Sequence, residues 1–316
     1  MGADQRELRR NRGGRGYQAG QADRFARERR EHRARTPRIS DDAWQLVEDK
    51  LGQQWSPQQI SGWLARHTPW RISHESIYLH VYADKRQGGT LHLHLRCQKK
   101  HRKRYGGRDR RGQMTDAHLK VSIEKRPAIV AKRARIGDWE LDTIVGARSK
   151  TSLREDSGLG QRAALVSLCE RKSRLTLLAP VEKATAQEVE EAIVRLLEPI
   201  RSQVKTLTSD NGREFSGHRQ IAEKLQADFY FAHPYASWER GLNENTNGLV
   251  RQYFPKNSDL KEATPELVQE VMERLNNRPR RCLNFATPQE VFHAPQKSKQ
   301  RKKKSRILKR TVALTT

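Results

Sequence analysis

Three acidic residues have the types and the setting for phosphoryl-transfer chemistry. They are Asp142 in Gly137-Asp-Trp-Glu-Leu-Asp-Thr-Ile-Val-Gly146, Asp210 in Thr208-Ser-Asp-Asn-Gly212, and Glu244 in Asn243-Glu-Asn-Thr-Asn-Gly248. The first two belong to short apolar, β-prone runs and the third opens a stretch that reads as helix. Carboxylates gathered from separate elements suit hard divalent cations, because Mg²⁺ takes oxygen ligands and keeps open positions for water and phosphate. Period-2 geometry puts Asp138, Glu140 and Asp142 on one strand face, so spacing alone does not choose among them. Asp210 closes its strand, and the following Asn211-Gly212 turn can present its carboxylate at the end of a sheet. Glu244 lies one helical turn before Gly248 and two before Arg251, so the three share a face on which Arg251 could hold a phosphate.

Such residues need a scaffold, and the pattern around them supplies one. Strands are predicted over Trp139–Val145, Ala163–Glu170 and Leu175–Val181, with Arg171-Lys-Ser-Arg174 as the turn between the last two. A helix from Thr185 to Leu197 ends before Pro199 and is followed by a strand from Val204 to Thr208. Then come a helix over His218–Leu225, a short strand over Phe229–Ala232, and one longer helix from Ser237 to about Tyr253. Strands first, then strands alternating with helices, imply a mixed α/β sheet covered by helices.

Upstream, residues 39–84 carry three compact helical signals. Ser40 precedes Trp44, Leu46, Val47 and Leu51; Ser56-Pro-Gln-Gln59 is a capping box; Ser73 caps a third segment with Ile77, Tyr78 and Val81. Three short helices with tight connections make a helix-turn-helix candidate whose last helix enters a major groove, with His74, Glu75 and His80 on or near its outer side. The competing reading is a packing module with no DNA contact. A final helix over Pro265–Leu275 is capped by Thr264.

A net charge of +26 over 316 residues favours a polyanionic partner, nucleic acid first. No apolar run approaches the roughly 18 residues of a spanning helix, which argues against a membrane partner. The charge is clustered: an Arg-rich segment at 1–38, where Ala19–Arg35 reads equally as charged helix or disordered arm, a basic linker at 85–135, and a polybasic tail at 296–316. Within the linker, Lys99, Lys100, Arg102, Lys103 and Arg104 are candidate phosphate contacts. His92, His94, Cys97 and His101 lack the spacing of a zinc finger. Cys97, Cys169 and Cys282 are odd in number and widely spaced, as reduced thiols of a cytoplasmic protein would be, and no signal peptide is visible.

Together these segments resemble the insertion-sequence-thirty family of bacterial transposases, members of the Asp-Asp-Glu group with a core similar to retroviral integrase and ribonuclease H. The resemblance rests on Gly137 to Gly146, Glu170-Arg-Lys-Ser-Arg-Leu175, Asp210-Asn-Gly212, Ser237-Trp-Glu-Arg-Gly-Leu-Asn-Glu-Asn-Thr-Asn-Gly248, Arg251-Gln-Tyr-Phe-Pro-Lys256 and Leu275-Asn-Asn-Arg-Pro279. Trp55-Ser-Pro-Gln-Gln-Ile-Ser-Gly-Trp63 and Arg71-Ile-Ser-His-Glu-Ser-Ile-Tyr78 extend it upstream, so that it covers roughly positions 40 to 292.

It implies a ribonuclease H-like, integrase-type core at 136–257 and a helical extension at 258–295, with Asp142, Asp210 and Glu244 as catalytic triad and ligands of two Mg²⁺ or Mn²⁺ ions. It further implies cleavage at transposon ends and transfer of the freed 3′ hydroxyl into target DNA, by a dimer or larger assembly in the bacterial cytoplasm, associated with the nucleoid. Arg251, Lys256 and His74 are the implied DNA contacts outside the linker. Family members typically carry a further amino-terminal helix-turn-helix, and only Arg6-Glu-Leu-Arg-Arg-Asn11 resembles the tail of its recognition helix, so the chain is expected to start late. An apparent insertion lies at about Ser149 to Gln161. The alternative function is a non-catalytic DNA-binding repressor derived from a truncated transposase.

Overall fold

The computed structural model of the chain describes residues 3–14, 16–35, 39–96, 120–146, 162–234, 236–256 and 258–295. At the amino end, helices α1 (Ala3–Asn11) and α2 (Ala19–Arg35) flank a small hairpin of β1 (Arg12–Gly13) and β2 (Gly16–Tyr17). The described part of 1–38 is therefore largely helical where a flexible arm is expected, and Ala19–Arg35 takes the charged-helix form of its two readings. Its support is local. Arg27 pairs with Asp23 at 2.9 Å and Arg24 with Glu28 at 3.8 Å, each one turn apart, and Arg29 donates to Asn11 Oδ1 to tie α2 to α1.

Helices α3 (Asp41–Gly52), α4 (Pro57–His67) and α5 (His74–Arg86) each begin at a serine whose hydroxyl accepts an amide of the first turn. Ser56 and Gln59 complete a capping box, with Pro57 at the first helical position, where its missing N–H is no loss. Val47, Leu51, Ile60, Leu64, Ile77 and Val81 are fully buried in one cluster, and truncating one of the leucines to alanine costs about 2–5 kcal/mol. His80 departs from the outward position expected for it. One residue short of Val81, it borders the buried stripe, stacks on Trp44 with ring centroids 4.1 Å apart and meets Glu48 at 2.7 Å. His74 and Glu75 are exposed at the start of α5.

After the short α6 (Ala128–Ala131) come β3 (Asp138–Val145), β4 (Ala164–Glu170), β5 (Thr176–Val181), α7 (Ala186–Leu197), β6 (Thr206–Ser209), α8 (His218–Leu225) and β7 (Asp228–Phe231). Then follow α9 (Gly241–Val250), α10 (Pro265–Asn276) and α11 (Pro288–His293). The strands form one sheet in the order β5-β4-β3-β6-β7, antiparallel from β3 to β5 and parallel from β3 through β6 to β7. That is the ribonuclease H-like arrangement.

Alternation along β3 divides the core. Trp139 and Leu141 join a cluster under α7 and α8, while Ile144 faces a second cluster with Val250 on α9 and Val271 and Leu275 on α10. β4 is buried throughout, as a strand covered on both faces must be. Gly137, at φ +107°, starts β3 where a Cβ would collide with the Gln203 carbonyl, so the approach of β3 to the chain before β6 requires glycine. The turn after β4 is held by Glu170, whose carboxylate accepts from the amides of Gly137, Lys172 and Ser173 and from Ser173 Oγ.

The three-helix module touches the carboxy-terminal segment through α4. The Phe285 ring lies against Gly62, where any Cβ would overlap it, and Arg66 Nη1 donates to the Asn284 carbonyl at 3.5 Å. Asn284 and Phe285 both hold left-handed backbones, φ 53° and 59°, a conformation uncommon for phenylalanine. Among the described residues no helix is long and apolar enough to cross a membrane.

Candidate active site

Strand register decides what meets what. β3 and β6 run parallel with Asp138 opposite Thr206 and Glu140 opposite Thr208, so two residues further on Asp142 and Asp210 leave the ladder as neighbours. Asp210 is steered by an Asx turn, its Oδ1 accepting from the Gly212 amide at 3.0 Å, and Asn211 Nδ2 anchors that turn on the Ala232 carbonyl at 2.8 Å. α9 closes the site from above: Asn247 Nδ2 donates to Asp142 Oδ2 at 2.7 Å and Asn243 Nδ2 to the Leu141 carbonyl at 2.9 Å.

Between the two carboxylates sits Arg240. Its Nη2 lies 2.9 Å from Asp210 Oδ2 and its Nη1 3.5 Å from Asp142 Oδ1, and it also donates to the Leu141 carbonyl. Burial raises the Asp142 carboxyl above its ordinary range; Arg240 opposes the shift and Asp210 adds to it. The single long helix expected over 237–253 is broken here into a 3₁₀ turn, Ser237–Arg240, and α9. Arg240 itself is non-helical at φ −118°, ψ 33°, which aims its side chain at the acids instead of along the helix.

The other acids on that face of β3 are engaged elsewhere. Asp138, fully buried, takes Arg135 at 2.9 Å and Thr206 Oγ1 at 2.9 Å; Glu140, also buried, pairs with Arg171 and accepts the Asn243 amide. Asp142 is only half-buried and has another carboxylate beside it. Two adjacent carboxylates already sharing one cation are a donor set that fits a hard divalent ion.

Glu244 is exposed on α9, one turn after Arg240 and one before Asn247, on the flank that contacts the aspartates. Among the described residues no three His, Cys, Asp or Glu side chains converge closely enough to hold a metal, so Asp142 and Asp210 meet while Glu244 stands apart from them. Arg251 Nη2 donates to the Val145 carbonyl at 2.8 Å and Nη1 to that of Pro255 at 3.4 Å, which makes it a brace between α9 and the end of β3. Lys256 and His74 are exposed, and Lys99, Lys100, Arg102, Lys103 and Arg104 lie outside the described residues, as do Cys97 and His101. Sequence reasoning missed Arg240, Asn243 and Asn247. A signal was present for Asn247, three residues after Glu244 on the same helix, but not for Arg240, which precedes α9 in a non-helical conformation.

No family profile matches the chain. The transposase for insertion sequence element IS4351 of Bacteroides fragilis is 36% identical over 290 residues, 91% of this chain and 84% of that protein. The transposase for IS1086 of Cupriavidus metallidurans is 37% identical with the same coverage of each. Transposase InsI for IS30A of Escherichia coli is 35% identical over 91% of this chain and 74% of that one. The chain belongs to the insertion-sequence-thirty family of transposases. Among solved structures, this transposase aligns loosely with a chain of the simian T-cell lymphotropic virus intasome, at 17% identity over 70% of this chain and 74% of that one, TM-score 0.40. It aligns with the BIV integrase catalytic core domain at 20% identity over 49% and 91%, TM-score 0.35. The fold of the transposase is read from its own strand order, not from those superpositions.

Proposed function

We propose that Asp142, Asp210 and Glu244 hold divalent metal, two Mg²⁺ or Mn²⁺ ions, and that the transposase uses this site both to cut DNA at transposon ends and to join the freed 3′ hydroxyl to target DNA. The observation that carries the reading is the pairing of Asp142 and Asp210 by parallel register around one guanidinium. When bound, the ions would activate the attacking oxygen and stabilise the leaving one. The chain's own part is positional. The Asx turn fixes Asp210, Asn247 fixes the orientation of Asp142, and Arg240 neutralises part of their mutual repulsion. Glu244, exposed on α9 and apart from the two aspartates, would complete the ligand set only on moving towards them. Because two element ends must be paired, the reaction requires at least two copies of the chain on DNA.

The test uses the purified protein, a labelled precleaved transposon end, plasmid DNA and Mn²⁺. Joined products are expected from the native chain and should fall to background with Asp210→Ala. Binding without joining by the native chain would instead support the DNA-binding repressor.

A further inference from the structure

On a neighbouring flank of α9, away from the aspartates, lies a cavity of about 240 Å³. Three guanidiniums border it, those of Arg133, Arg174 and Arg280, together with Gly241, Asn245 and Thr246 of α9, and no carboxylate lines it. None of the three arginines has an ion-pair partner among the described residues. Arg171 nearby is paired with Glu140 and Arg240 with Asp210, whereas the cavity gathers three arginines with no acid among its lining residues. The Nε atoms of Arg174 and Arg280 are buried without any hydrogen-bond partner, a state that ordinarily costs about 1–3 kcal/mol or more per group. Burial, with Arg278 alongside, pulls Arg280 down to about 10, and burial with Arg174 and Arg171 lowers Arg133. The Arg280 guanidinium has one partner, the Leu275 carbonyl at 3.0 Å, and an anion in the cavity would offset the like charge that the three side chains bring together.

Backbone geometry supports the same end. Arg174 and Arg133 are held at φ 66° and 50°, left-handed conformations uncommon for arginine, and both side chains reach the one cavity. The volume is below the roughly 300–1,000 Å³ of sites for drug-sized ligands. We infer that this cavity is a phosphate-binding site that takes a backbone phosphate of the DNA whose strand passes to the acidic site across α9. The inference rests on the reading of the chain as a DNA strand-transfer enzyme; the net charge of +26 and the single helix separating the two sites favour DNA over a free anion.

Binding of a labelled duplex to the full chain, measured by anisotropy across a salt series without divalent metal, tests it. Asn tolerates the left-handed region, so Arg133→Asn/Arg174→Asn removes two guanidiniums while keeping the backbone. The double variant should lose affinity by roughly tenfold and flatten the slope of log K against log salt by about one, as expected for one phosphate contact. Arg195→Gln, on the exposed side of α7, should change neither. Asn245→Asp, which puts a carboxylate at the cavity without touching those turns, should reproduce the loss and covers the case in which the double variant does not fold. Unchanged affinity and slope in a folded double variant, or an equal loss in Arg195→Gln, would overturn the inference. So would pyrophosphate raising the melting temperature of the native chain alone while the DNA slope stays the same, since the site would then serve a free anion. Because no metal is present, these readings are independent of whether Asp210→Ala abolishes joining.

Discussion

The two ends of β3 treat charge in opposite ways. At the start, Asp138 and Glu140 are fully buried and each has its own arginine, Arg135 and Arg171, with further donors from Thr206 and Asn243. Further along, Asp142 on β3 and Asp210 just past β6 share the single Arg240, and one acid of the pair stays uncompensated. A matched pair sealed from water holds a fold in register but has nothing left for a ligand. An unmatched one facing solvent is less favourable for folding and remains available to a further cation. The four acids are thereby divided into two with an arginine each and two that share one.

The comparison breaks most visibly at Glu140. Glu140→Gln leaves Arg171 charged and buried, and should lower the unfolding free energy by about 3–5 kcal/mol in urea titration. A loss below 1 kcal/mol would place Glu140 with the open acids instead. Asn247→Ala should do the reverse: strand joining drops roughly 10–100-fold, as when other supporting partners of metal ligands are removed, while the urea midpoint barely moves. An equal loss of stability and joining would make Asn247 a packing residue.

The smallest effect is on pH. The Asp142 carboxyl is raised in the folded state, so folding favours its protonated form; the associated stability is present below the ordinary carboxylate pKa and is lost as pH rises through the raised one. Asp142→Asn should therefore melt slightly higher than the native chain at pH 7, and the two curves should converge as pH falls below the ordinary carboxylate range. Native protein that melts higher than the variant at neutral pH would contradict that sign.

Much of this was legible from local chemistry. Ser56 with Gln59, Thr185 and Thr264 mark helix starts that are used as such, and the period-2 runs give the strands within a residue or two. α11 carried an equally good signal, a capping box of Thr287 and Glu290, that the reading passed over. The break before α9 left no such mark, because apolar spacing continues through it while Arg240 is drawn aside by acids distant in sequence. His80 shows the same limit: a position beside a buried stripe looks outward until Trp44 supplies a surface to stack on. That Asp138 and Glu140 each have an arginine of their own and Asp142 does not is a matter of tertiary contact that spacing does not encode.

The ring of Phe285 seated against Gly62 works as a key in a notch. A hydrogen atom is the largest substituent position 62 tolerates while the key is home. Across that seam the three-helix module and the carboxy-terminal segment meet by shape, with the Arg66 guanidinium on the Asn284 carbonyl beside the ring.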